Sequence, residues 1–173
     1  MENLFLTKVD LDTMQCSPSS LIGQSWFLLT AGTPEDYNMM TAGWGAIGEI
    51  WAVPTLHCFV RTNRYTLEFL EKYDTFTASF FDPGYKPMLS YCGSHSGRDV
   101  NKLEHTSLRP AILDGGVAFA QARRVMICKK MYIGDMQKEG FVDPAVYEKF
   151  YAEDNPMHRE VIGEIVSYYE RLY

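Results

Sequence analysis

An antiparallel β-barrel with a few short helices attached is the fold class that this sequence predicts. Three observations point there. β-type runs outnumber helical ones, they do not alternate with helices as in a parallel sheet, and turn residues interrupt the chain often. The 173 residues fit one domain, taken here as 1–173. The 46% apolar content, with 11 Tyr and 10 Phe, is ample for a single packed core.

In chain order, SWFLLTAG (Ser25–Gly32) is a β-type run closed by Gly32 and Pro34, and TPEDYN reads as a loop. MMTAGWGAIG follows, with small-residue breaks at Gly43 and Gly45. TLHCFVR alternates, with Leu56, Cys58 and Val60 on one face and His57, Phe59 and Arg61 on the other, as a strand requires. RYTLEFLEKY has helical spacing, with Thr66 able to serve as its N-cap. DTFTASFF is a strand with Phe76, Ala78 and Phe80 on one side. KPMLSYCG is a short helix ending at Gly93.

Further on, GGVAFAQARRVMICKKMYIGDM is one long bent strand or a pair of strands. DPAVYEKFYAE is a helix with Asp143 as N-cap and Pro144 in the first position. HREVIGEIVSYYERLY suits a helix or a strand, and Gly163 weakens the helix. YIGD and VIGE are too short an echo to make a repeat.

Composition removes several function classes. A formal charge of −6 with no basic run argues against nucleic acid as a partner. No apolar run is long enough to span a bilayer, and MENLFLTKVD lacks the basic start of a signal peptide. Cys16, Cys58, Cys92 and Cys128 are scattered without a C-x-x-C, which suits small buried thiols in a cytoplasmic protein. Cys92 and His95 are one pair of metal-ligand types with no second pair nearby, so no metal site is expected. The stretch around them, CGSHSGRDVNK, nearly spells the Gly-x-Ser-x-Gly turn of hydrolases. His95 stands where the nucleophilic serine would be, and no base is evident for Cys92.

Three clusters carry the remaining polar chemistry. In RTNRYT, a strand ends at Arg61 and a helix begins near Thr66. Two arginines at a helix start either hold an anion or sit solvated beside a capped helix. In SGRDVNK, Ser96, Gly97, Arg98 and Lys102 either cradle anionic oxygens or form an ordinary polar turn. In NMMTAGW, the small residues Thr41, Ala42 and Gly43 either let a flat ligand approach the backbone or mark a bulged strand. Taken together, they suggest a phosphorylated planar ligand. Neither common nucleotide loop is present.

The ordered set N-x-M-T-A-x-W, R-x-x-R-Y-T, F-T-x-S-F and C-G-x-x-S-G-R-D-x-x-K, with H-x-x-x-I-G-E near the end, resembles the flavin reductase-like family. These are FMN-binding split-barrel proteins that include flavoredoxins and small NAD(P)H:flavin oxidoreductases. The resemblance implies a six-stranded antiparallel split barrel of Greek-key type, and a homodimer with FMN near its interface. It makes HREVIGEIV a strand. It implies that Asn38, Met39, Met40, Thr41, Ala42, Gly43 and Trp44 line the isoalloxazine and ribityl chain. Arg61, Arg64, Tyr65 and Thr66 would surround the phosphate, and Ser96, Gly97, Arg98 and Lys102 would close the site. His158 is the one candidate for a catalytic role, positioning the nicotinamide.

The implied activity is hydride transfer from NAD(P)H to FMN and on to an acceptor. The alternatives are a non-enzymatic FMN electron carrier reduced by a redox partner protein, and a barrel that binds no flavin. On this reading His95 is a turn or surface residue and Cys92 packs.

Overall fold

The computed structural model describes residues 5–172. Residues 1–4, which open the amino-terminal stretch read above, and Tyr173, the last residue of the final run, lie outside the described residues.

Ten strands and three α-helices make up the described fold. The strands are β1 (Leu6–Val9), β2 (Phe27–Thr33), β3 (Asp36–Ala42), β4 (Gly45–Ile50), β5 (Val53–Arg61), β6 (Thr75–Phe80), β7 (Pro110–Leu113), β8 (Gly116–Phe119), β9 (Arg124–Asp135) and β10 (His158–Arg171). The helices are α1 (Thr66–Lys72), α2 (Lys86–Ser94) and α3 (Pro144–Tyr151), and a five-residue π-helix, Ser20–Gln24, precedes β2.

The expected six-stranded split barrel is not what forms. The chain builds two open sheets. One has eight strands, in the order β3-β2-β6-β9-β10-β5-β4, with β1 on β10; the other is the two-stranded β7-β8. All pairings are antiparallel. β3 and β4 end the long path and are not hydrogen-bonded to each other. The free edge of β3 is covered instead by α2 and by side chains. Thr41 Oγ1 donates to the Leu89 carbonyl, and Lys102 Nζ donates to the carbonyls of Met39 and Cys92 at 2.7 and 2.8 Å. An edge capped in this way has no need of a strand partner.

β10 joins the sheet. Its first half pairs with β5 (His158↔Arg61 to Glu164↔Thr55), its last residues pair with β1, and its other side runs along β9. Two register shifts against β9, at Ile162/Gly163 and Ile165/Ser167, bend it. Gly163 is there for space. A Cβ on it would stand 2.5 Å from the Phe76 ring and 2.9 Å from the Cys128 Cβ.

The sheet is buried on both faces. One core holds Phe27, Leu29, Leu56, Cys58, Val60, Phe76, Ala78, Phe80 and Met126; the other holds Leu28, Leu89, Cys92, Phe119, Val125 and Ile127. This is why β2 reads Phe-Leu-Leu without polar alternation. The face assignment made for β5 holds, and so does that of Phe76, Ala78 and Phe80 in β6.

Several elements differ from expectation. The loop read over TPEDYN shrinks to Pro34 and Glu35, because β2 and β3 form a tight hairpin with Thr33↔Asp36 as its last pair. Gly32 makes this possible: its φ is +123, and a Cβ there would lie 2.2 Å from the Asp36 carbonyl oxygen. Thr66 is not a cap; it lies in the first turn of α1, and the cap position is Tyr65, without a side-chain bond. α2 runs one residue past Gly93, to Ser94. The GGVAF…GDM stretch is a pair of strands, β8 and β9, in different sheets. α3 begins as expected, with the Asp143 carboxylate accepting from the Ala145 N–H at 3.0 Å.

Candidate functional site

The candidate site is the opening between β3 and β4. The chain crosses it in two residues, Gly43 and Trp44, and a cleft of about 580 Å³ lies alongside. Its walls bring together Met40, Thr41, Ala42, Gly43 and Trp44 with Arg61, Arg64 and His158, from three separate parts of the chain. Gly23, Trp26, Phe59, Leu89, Ser90, Gly93 and Ser94 complete the lining. Main-chain donors face it as well. The Met39 carbonyl points off the β3 edge to Lys102, so alternation along the strand turns the Thr41 N–H off the same edge.

Arg61 reaches the cleft from the end of β5, on the face it shares with Phe59. Its Nη1 donates to the Pro156 carbonyl at 3.1 Å, and Arg64 Nη1 donates to the Gly93 carbonyl at 2.9 Å. Neither guanidinium has a carboxylate partner among the described residues. In a chain with a formal charge of −6, that leaves two cations free to meet an anion at one end of the cleft.

His158, 6% exposed, opens β10 opposite Arg61. Its Nδ1 lies 2.8 Å from the Tyr151 hydroxyl, and its ring sits against Trp44 at a centroid distance of 4.7 Å. Burial lowers its pKa to about 4, with Arg61 and then Arg64 adding to the effect. The imidazole is therefore neutral at pH 7.

The unfolded chain takes up a proton near pH 6.5 that the folded chain refuses until about pH 4. Stability is thus complete above pH 6.5 and falls as the pH drops towards 4, by roughly 2–3 kcal/mol from this residue. Urea unfolding at pH 7 and pH 4.5 should show that loss in the wild type and a smaller one in His158→Gln.

The other sequence candidates lie beside the cleft, in adjoining hollows. A cavity of about 60 Å³ contacts Asn38, Tyr65, Thr66, Ser96, Gly97 and Lys102, and shares Met40 and Arg64 with the cleft. A surface hollow of about 410 Å³ contacts Asn38, Met39, Gly97, Arg98 and Lys102. Asn38 Nδ2 donates to Thr66 Oγ1 at 2.8 Å, tying β3 to α1. Arg98 is paired with Glu68 and lies over the Tyr65 ring. Lys102 is 5% exposed, with its ammonium held by the Met39 and Cys92 carbonyls; burial lowers its pKa. It braces the wall of the site.

His95 is exposed and stacks on Tyr91, with ring centroids 4.0 Å apart. Cys92 is buried, and burial raises its thiol pKa. No cluster of three or more metal-ligating side chains occurs among the described residues. No helix among them is long and apolar enough to cross a membrane.

Sequence reasoning missed Trp26, Leu89 and Gly93 as lining residues. Gly93 stands inside a quoted motif, and a Cβ there would come within 3.2 Å of the Thr41 Cβ. Phe59 was legible from its two-residue spacing to Arg61. Trp26 and Leu89 carry no local pattern that points to the cleft.

A cleft between the ends of an open β-sheet, with two arginines that lack carboxylate partners and a small-residue strand edge, suits an anionic ligand. The family model for the flavin reductase like domain matches residues 19–172, and the chain belongs to this family. Solved structures share the fold at low identity. An FMN-binding protein from Thermus thermophilus with bound p-hydroxybenzaldehyde is 22% identical (TM-score 0.64), over 84% of this chain and 71% of that one. A flavoredoxin from Methanosarcina acetivorans is 19% identical (TM-score 0.63), over 95% and 74%. A Streptomyces globisporus NADH:FAD oxidoreductase, in complex with NAD and FAD fragments, is 15% identical (TM-score 0.64), over 84% and 74%. No curated protein matches the chain.

Proposed function

We propose that this protein binds FMN in the cleft beside β3 and acts as an NAD(P)H-dependent flavin oxidoreductase, as a cytoplasmic homodimer. The observation that carries the reading is the pair Arg61 and Arg64, without carboxylate partners at the rim of a cleft floored by Thr41 to Trp44. The volume of about 580 Å³ falls among cofactor sites, which span about 300–1,000 Å³. The donor set fits the group: guanidinium N–H for a phosphate and main-chain N–H at Thr41 for a carbonyl edge.

Bound flavin supplies two-electron chemistry that no side chain here has. Arg61 and Arg64 hold the phosphate, and Asn38 and Lys102 keep β3 in place. Tyr65, Thr66, Ser96, Gly97 and Arg98 form the outer wall. Met39, Met40 and Ala42 shape the platform. His158, neutral and fixed by Tyr151, positions the nicotinamide of the donor. The relatives support both an enzyme and a carrier, since an NADH:FAD oxidoreductase and flavoredoxins share the fold.

Anaerobic mixing of FMN-loaded protein with NADH or NADPH separates the two. Rapid loss of the visible flavin absorption with either donor is expected. Persistent absorption with both would leave an electron carrier that is reduced by another protein.

A further inference from the structure

Trp44 lines two clefts. One is the arginine-bearing cleft. The other, of about 590 Å³, shares Gly23, Gly43, Trp44 and Phe59 with the first. The two differ in chemistry. The second has no ionisable acid or base among its lining residues except the Tyr151 phenol, and its walls are built from Trp44, Phe59, Phe141, Val146, Phe150 and Tyr151. α3 forms its outer side. That helix is exposed along most of its length and is anchored by the buried Tyr151, by Phe150 edge-on to Trp44 at 5.2 Å, and by the Phe141–Tyr151 ring contact at 5.4 Å.

We propose that this second cleft binds a neutral, planar aromatic small molecule, seated against Trp44 next to the cofactor cleft. The size is that of a small-molecule site. Five ring-bearing side chains offer faces and edges to a flat guest. A charged guest would lose its hydration with no ion partner in the walls. A dinucleotide is a poor match for the same reason: its phosphates would need Arg61 and Arg64, which line the first cleft and not the second. The role of the guest as second reactant rests on the FMN reading above; its binding does not.

Calorimetry with 2-naphthol and 2-naphthoate, on the protein as purified and on FMN-saturated protein, tests this. 2-Naphthol should bind once per chain and at least tenfold more tightly than the carboxylate of the same shape. Val146→Glu places a carboxylate in the wall from a residue 40% exposed on α3, where glutamate suits the first helical turn. It should weaken 2-naphthol at least tenfold relative to Val146→Gln, with both variants melting at the wild-type temperature. Equal affinity for the two probes, equal affinity in the two variants, or no heat with 2-naphthol would overturn the proposal. So would a second copy of the chain filling the cleft, seen as a dimer that takes no 2-naphthol and dissociates in Val146→Glu. An FMN titration of the same samples reports separately on the first cleft. Its failure with 2-naphthol binding intact would sink the cofactor reading alone.

Discussion

Replacing Arg61 and Arg64 together by methionine is expected to weaken FMN binding by a hundredfold or more and to leave riboflavin binding nearly unchanged. Each charge-assisted hydrogen bond to a phosphate contributes about 1.5–3 kcal/mol. Two of them amount to roughly 3–6 kcal/mol, or about two to four decades in affinity. Methionine keeps the apolar stem and removes the charge. Riboflavin lacks the phosphate, so it reports on the ring platform at Thr41 to Trp44 and not on the arginines. Fluorescence titration with both flavins decides the matter. Parallel loss of both would mean that the variant has lost the ties to the Pro156 and Gly93 carbonyls and with them the shape of the cleft. Unchanged FMN affinity would place the phosphate elsewhere.

Gly163→Ala should be a damaging conservative change in the core of the sheet. The added methyl meets the Phe76 ring at 2.5 Å and the Cys128 Cβ at 2.9 Å, both in the fully buried core. Neither neighbour is the loose end of a flexible chain, so the core must shift or the strand must. Overpacking of this kind costs about 1–3 kcal/mol. For a domain of this length that lowers the melting temperature by roughly 2–4 °C per kcal/mol. Scanning calorimetry at pH 7 checks it, and Phe76→Leu in the same chain should recover part of the loss by vacating the contact. A melting temperature equal to wild type would show that β10 yields more readily than its packing suggests.

How much was legible varies by element, for physical reasons. β5 declared itself because its two faces differ: Leu56, Cys58 and Val60 pack inward, while His57, Phe59 and Arg61 alternate with them. β10 did not. Val161, Gly163 and Tyr168 are buried as well as Ile162, Ile165 and Tyr169, so the period of two is erased and only the family resemblance made it a strand. β3 was hidden by Asp36 and Asn38, turn-type residues that the tight hairpin over Pro34 and Glu35 places near the start of an edge strand. The six-stranded split barrel failed as an expectation because nothing local says whether two strand ends will meet. Here α2 and Lys102 occupy the place that pairing would have taken.

Within the candidate site, the sequence clusters that hold Met40 to Trp44 and the two arginines were legible, and the fold brings them to one cleft. The position of Lys102 was not legible. A lysine in a polar motif looks the same whether it faces a ligand or two carbonyls of its own chain.

The position of β10 bears on how the molecule is made. In a chain growing from its amino end, β4–β5 and the block β3-β2-β6-β9 exist before residue 158 does, yet their strands are hydrogen-bonded into one sheet only through β10. Two half-sheets must therefore wait side by side, each with a bare edge able to pair with the wrong neighbour. Closure depends on contacts between residues about a hundred positions apart, such as Arg61 with His158, which makes it slow. The newborn protein is most exposed to clumping in that interval, and chaperones have most to do there.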